Sequence, residues 1–177
     1  MTTDAATLLF AILAVAAEAV VVGTLALWLV ARRSAFARYR ALVGPDGLTL
    51  AFVVAAVATG GSLYLSEVAH FTPCRLCWFQ RAFMYPLVPV LGIAAWRRAV
   101  GLRTVAIPMA VIGATISAYH VLVERYPNLE SNVCDPNTPC TAIWFQRFGY
   151  LTIPAMALSA FALIVTLLLL STHQQGE

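Results

Sequence analysis

Lysine is absent from this chain, and charged residues of all kinds make up only 11% of its 177 positions. Soluble domains carry about 25% charge, so a water-facing globule is excluded. There is no Gly-rich phosphate loop, no helix-turn-helix and no basic stripe interleaved with aromatics, which removes nucleotide and nucleic-acid binding. What remains is apolar: 61% of the residues are hydrophobic and the mean hydropathy is +0.83. The chain reads as a single-domain membrane protein, and its net charge of +3 reflects topology.

A bilayer-crossing helix needs about 20 mostly apolar residues. Five stretches qualify: 5–31, 48–66, 78–96, 104–122 and 148–170. The expected fold is therefore an all-α membrane protein, a four-helix transmembrane bundle over 48–170 with one additional N-terminal transmembrane helix and its loop in 1–47, and a short tail over 171–177. Pro86, Pro89, Pro108 and Pro154 fall inside the expected spans, where neighbouring helices can satisfy the freed backbone groups. Arg32, Arg33, Arg38 and Arg40 follow the first span, and Arg97, Arg98 and Arg103 follow the third. Arginine concentrated on one side marks that side as cytoplasmic. The N-terminus and all four cysteines then lie outside the cell membrane, and the C-terminus lies inside. Asp4 is the only charge ahead of the first apolar run, so that run lacks the basic start of a cleaved signal and reads as a retained helix. Glu18 near its middle is costly as a carboxylate, and is expected to be protonated or paired within the bundle, as a structural contact or as a proton or quinone group.

The cysteines come in two close pairs, Cys74 with Cys77 and Cys134 with Cys140. On the oxidising side of a membrane an even set suggests disulfides. Bridges over such short loops remove little chain entropy, so redox work is a better reading than stapling. Cys74 and Cys77 stand at a helix start, where free backbone N–H groups and the helix dipole favour a thiolate. Arg81 lies one turn below Cys77 and offers a permanent cation at the hydrocarbon edge, for a thiolate or for a carbonyl dissolved in the membrane. The phrase "PCRLCWFQR" from Pro73 recurs as "PCTAIWFQR" from Pro139, with Ile143 in place of the second thiol. This suggests two similar helix entries, with Arg147 echoing Arg81 and Cys140 left to pair with Cys134. Thiol–disulfide exchange only passes electrons along. No haem motif or dinucleotide fingerprint is present, and a lipid-soluble quinone at the level of Cys77 and Arg81 is the economical sink.

The stretch "CRLCWFQRAFMYP", followed by "YHVLVERYP", "CD" and "PC" before a last span, resembles the DsbB/BdbC family of disulfide-bond formation proteins, membrane thiol:quinone oxidoreductases built on a four-helix core. Gln80, where some members have Glu, is similar to the BdbC branch. The resemblance implies that Cys74 and Cys77 are the quinone-reactive pair, with Cys77 as the thiolate at the quinone ring. It makes Arg81, His120 and Gln80 quinone-site residues, for ubiquinone or menaquinone. It also implies that Cys134 forms the mixed disulfide with a DsbA/BdbD-like thioredoxin-fold thiol oxidase and that Cys140 completes the loop disulfide. The extra N-terminal helix and the short loop between Cys134 and Cys140 depart from the best-known DsbB pattern. Three rivals stand beside this reading: an enzyme of the vitamin K epoxide reductase type, in which the order of the cysteine motifs is reversed; a zinc site, for which the second spacing is wide; and a non-catalytic subunit or transporter whose loops are merely stapled.

Overall fold

The computed structural model describes residues 3–30, 33–130, 133–135 and 137–172. Ala31, Arg32, Pro136 and the tail from His173, which entered the reading above, lie outside the described residues. Six α-helices follow in order: α1 (Thr3–Val30), α2 (Arg33–Val43), α3 (Gly47–Leu63, prolonged by a wider π-type turn over Tyr64–Val68), α4 (Arg75–Trp96), α5 (Arg103–Arg125) and α6 (Ile153–Leu170). There is no strand among the described residues. Five helical stretches are long and apolar enough to cross a membrane, as the sequence leads one to expect.

Helices α3, α4, α5 and α6 pack in a ring, each against the next, and α1 lies against the outside of α6. The bundle core is built from Ala51, Leu87, Leu91, Ala110, Phe161 and Ile164 among others. Lipid is as apolar as these side chains, so helix association rests on close packing of small residues. Gly113 illustrates this: a Cβ there would collide with the fully buried ring of Phe161, so only glycine lets α5 approach α6 this closely.

Three boundaries differ from expectation, each for a local reason. Helix α4 begins at Arg75, which puts Cys77 inside its first turn and makes Cys74 the N-cap. Helix α6 begins only at Ile153 because Phe148 and Gly149 adopt positive φ values of 51° and 79°, and consecutive left-handed residues cannot continue a helix. Pro154 thereby falls in the first turn, where its missing N–H costs nothing, and not within the span. The stretch read as a loop after the first span forms α2. Its apolar Ala35, Phe36, Tyr39, Leu42 and Val43 recur at three- and four-residue spacing beside Arg33, Arg38 and Arg40, the pattern of a helix lying in the membrane interface. No side chain of α2 is buried.

At the arginine-rich end, Arg40 Nε donates to the Leu170 carbonyl at 3.4 Å and Arg103 Nη1 donates to that of Ser171 at 3.2 Å. These cations take up carbonyls that the last turn of α6 leaves open and offset the negative end of its dipole. The opposite end gathers the start of α1, the turn between α3 and α4, and the segment joining α5 to α6. Arg147 Nη2 reaches Asp4 Oδ1 at 2.6 Å and Thr7 Oγ1 at 2.9 Å, while the Phe71 ring stacks on Trp144 at 5.2 Å. The four cysteines belong to this second end.

Candidate functional site

Cys74 leaves the preceding extended segment at φ −72°, ψ 175°, and its sulfur accepts the backbone N–H of Cys77. A sulfur in the N-cap position takes the place of the usual side-chain oxygen. One turn on, Cys77 Sγ comes within 3.3 Å of Cys74 Sγ, and both are free thiols. From α5, the buried His120 points between the two cysteine pairs: its Nε2 is 3.6 Å from Cys74 Sγ and 3.1 Å from the Cys140 carbonyl oxygen. Its Nδ1 lies 3.2 Å from Gln80 Nε2. An amide N–H donating to Nδ1 leaves the ring proton on Nε2, aimed at the sulfur and at the carbonyl.

Together these groups hold the Cys74 thiol far below its ordinary range, at about 4: the hydrogen bond with Cys77 is the largest cause, burial opposes it, and the His120 hydrogen bond and charge add to the lowering. In the reduced pair without a quinone the lowered thiol is thus Cys74, while Cys77 is the sulfur that lines the cavity below it. The N-cap geometry explains the lowering, because it delivers the amide and the imidazole to the first sulfur of the motif. The sign is that of an acid made stronger, so Cys74 is ionised at neutral pH and takes up its proton only as pH falls through about 4. In the reduced protein, thiolate ultraviolet absorbance should persist to about pH 5 and disappear in Cys74→Ser, whereas an unperturbed cysteine would already be protonated below about pH 8.

Cys134 and Cys140 form a disulfide with sulfurs 2.05 Å apart. Cys140 is almost fully buried, at 1% exposure, and packs with Cys74, Leu76 and Val123 in one apolar cluster that Cys77 and the half-buried Cys134 join from its edge. The Cys140 N–H donates to Glu130 Oε1 at 2.7 Å, which ties the disulfide to the short turn that follows α5. Between the two cysteines a tight turn closes through the Thr138 N–H to the Asp135 carbonyl, at 3.0 Å, with Asp135 Oδ1 accepting from the Asn137 N–H at 2.8 Å. Metal-capable side chains fall into two separate groups, Cys74 with Cys77 and His120, and Glu130 with Cys134 and Cys140. The four sulfurs therefore do not converge on one tetrahedral point.

Below Cys77 a cavity of about 400 Å³ opens between α1, α3, α4 and α6. Cys77, Gln80, Arg81, Tyr85 and Ser62 supply most of its polar edge, and aliphatic side chains with Phe10, Phe71 and Phe161 most of the rest; Cys77 lines it and Cys74 does not. The size and lining fit a flat, weakly polar ring with an apolar tail. Arg81 donates from Nε to Ser62 Oγ and from Nη2 to the Ser62 carbonyl, both at 3.0 Å, and its guanidinium lies 5.2 Å from the centre of the Trp78 ring. Tyr85 donates to the same Ser62 hydroxyl at 3.3 Å. A guanidinium has five N–H donors, more than these two bonds use.

Of the residues singled out in the sequence, Cys77, Arg81 and Gln80 meet at the cavity. His120 lies instead between the cysteine pairs. The second "WFQR" is not a helix entry, and Arg147 is not a second Arg81: residues 140–152 run as turns, with Arg147 hydrogen-bonded back to Leu151 and ion-paired to Asp4. Glu18 is paired, accepting from Tyr150 at 2.6 Å and from Ser159 at 2.8 Å. Phe71, Glu130 and the α1 side chains facing the cavity went unread in the sequence. Stacking partners 73 residues apart and a helix wall formed by side packing leave no local pattern.

The model of a family described as "Disulfide bond formation protein DsbB" matches residues 46–171. "Disulfide bond formation protein C" of Bacillus subtilis (strain 168) is 42% identical over 131 residues, covering 73% of this chain and 95% of the relative. A "Probable disulfide formation protein" of Oceanobacillus iheyensis is 40% identical over 132 residues, covering 73% and 91%, and one of Coxiella burnetii is 38% identical over 128 residues, covering 71% and 87%. No solved structure gives a significant match.

Proposed function

Because this chain belongs to the DsbB family of disulfide bond formation proteins, we propose that it is a thiol:quinone oxidoreductase that reoxidises a DsbA/BdbD-like thioredoxin-fold thiol oxidase outside the cell membrane. One observation carries the reading: the C-x-x-C pair faces two ways. Cys74 lies against His120 and the buried Cys140, while Cys77 faces the apolar cavity edged by Arg81. A pair that only stapled a loop has no need of either neighbour.

The partner's thiolate attacks Cys134, the more exposed sulfur of the loop pair, breaking its bond to Cys140 and forming a mixed disulfide. The partner's second thiolate then resolves this bond, leaves the partner oxidised and leaves two electrons on Cys134 and Cys140. Exchange with a Cys74–Cys77 disulfide re-forms the loop bridge and moves the electrons to the C-x-x-C pair. The described arrangement, bridged at Cys134–Cys140 and reduced at Cys74 and Cys77, corresponds to the stage after this exchange. His120 Nε2–H and the Cys77 amide hold the charge on Cys74, and Gln80 holds the imidazole in the tautomer that does so. Cys77 and Arg81 lie where a quinone ring fits, with Ser62 and Tyr85 fixing the guanidinium. A quinone there, ubiquinone or menaquinone, supplies an acceptor for two electrons and two protons.

The arginines of α2 and of the α4–α5 turn support a cytoplasmic assignment for their end of the bundle, with the cysteine end outside. Anaerobic titration of the purified protein with quinone and a reduced thioredoxin-fold oxidase, read by thiol trapping at each cysteine, tests the whole scheme. Expected is one partner disulfide per quinone reduced, with Cys134 alone trapped in the mixed disulfide. Stoichiometric zinc on four reduced thiols would overturn it.

A further inference from the structure

Helix α1 lies outside the region matched to the family, residues 46–171. The Bacillus subtilis relative is 95% accounted for by 131 matched residues, so it has no length left for a 28-residue helix such as α1. Yet α1 is not a loose anchor here. Its Phe10, Leu13, Ala14, Ala16, Ala17 and Val20 line the cavity beside Cys77, and Ala11 and Ala14 pack toward α6 in a cluster with Leu151 and Ala155. Toward α3 an aromatic bridge makes contact: the Phe10 ring stands over Gly61, where a Cβ would lie 3.2 Å away, and edge-on to Tyr64 at 6.2 Å. Below that bridge, three alanines and two aliphatic side chains leave the gap that is the cavity.

Polar contacts hold this wall in place. The Glu18 carboxylate, in the middle of α1, accepts from Ser159 on α6 and from Tyr150 just before it, and Asp4 and Thr7 take Arg147 from the same connecting segment. Hydrogen bonds to a carboxylate in an apolar surround are stronger than neutral ones, and a polar group within a span is costly unless it is bonded. Helix α1 therefore has one docked position, set by Glu18.

We propose that α1 is a built-in wall of the quinone site, that its small residues Ala14, Ala16 and Ala17 set which quinone fits, and that Glu18 is the positioning residue that fixes the wall. This rests on the quinone reading above and assigns to α1 a part of that site which the matched core does not supply. Small residues along one side of a cavity admit a ring and the first units of a tail, and a bulky side chain there would fill the space.

The test reads binding instead of turnover. Wild-type protein in detergent is labelled with a photoactivatable azidoquinone, and the labelled peptides are mapped; equilibrium binding of a redox-inert quinone analogue is measured alongside. Label within α1 is expected. Ala16→Trp should weaken analogue binding about tenfold, whereas Ile12→Trp, at an exposed position on the same helix that does not line the cavity, should not. Glu18→Leu should weaken binding and Glu18→Gln should restore it, since the amide keeps an acceptor for one of the two hydroxyls. Label confined to α3, α4 and α6, with Ala16→Trp binding like Ile12→Trp, would overturn the inference and leave the quinone site standing. Wild-type protein that binds no analogue at all overturns both. The labelling pattern comes from the unaltered protein, so it decides the matter even where a variant fails to fold.

Discussion

Cys77→Ser is expected to abolish quinone reduction by the partner dithiol, lowering turnover by roughly three orders of magnitude or more, the scale seen when one member of a concerted catalytic set is removed. The variant keeps Cys74 with its amide and imidazole contacts, since Ser at position 77 still presents the backbone N–H that Cys74 accepts. What it loses is the sulfur that faces the cavity and the one that resolves a bond made to Cys74. With no second thiol the C-x-x-C position can hold no disulfide to accept electrons, so they stop at the loop pair; the Cys74 thiolate can only attack the Cys134–Cys140 bridge, forming one bond between the pairs and freeing one loop thiol. A disulfide between the two pairs should accumulate, visible as a cross-link between the Cys74 peptide and the peptide spanning Cys134 and Cys140 on mass spectrometry without reductant. Unchanged quinone reduction in this variant would return the cysteines to a stapling role.

Arg81→Gln should separate the two ends of the enzyme. The charge-assisted bonds that a guanidinium makes are worth about 1.5 to 3 kcal/mol each, so the quinone KM is expected to rise roughly ten- to hundredfold. The partner's KM should stay within a factor of about two, because Arg81 is separated from the loop disulfide by the thickness of the C-x-x-C turn and bonds instead to Ser62. Loss of partner affinity with intact quinone affinity would move the quinone site elsewhere. Tyr85→Phe provides a milder companion, removing one hydroxyl from the Ser62 cluster without altering the charge.

The bundle was legible in the sequence because spans announce themselves by length and apolarity alone, and each of the five appears where its run of apolar residues lies. Their ends were less so. The start of α6 could not be read from "WFQRFGYLTIP", which is apolar enough to pass for a helix; the break at Phe148 and Gly149 shows only in backbone angles. The same limit undid the symmetry suggested by the repeated phrase. Identical Trp-Phe-Gln-Arg residues form a helical turn below Cys77, where the N-cap starts α4, and an irregular segment after Cys140, where Phe71 captures Trp144 and Asp4 captures Arg147. Tertiary partners decided between the two outcomes. Cysteine spacing, by contrast, carried its own geometry: two intervening residues at a helix start span one turn, and the Cys74 and Cys77 sulfurs could hardly avoid each other. Which of the two sulfurs the imidazole of His120, 46 residues from Cys74, will face is not written in that spacing.

The bonded sulfurs of Cys134 and Cys140 are unequally placed, the first half-exposed and the second buried against Cys74. A soluble nucleophile meets the outer atom first, so the atom released by its attack is the inner one, packed beside Cys74. On the reading proposed above the bridge is therefore a one-sided gate: a thiolate from outside opens it at Cys134, and the thiol set free, Cys140, already lies beside Cys74.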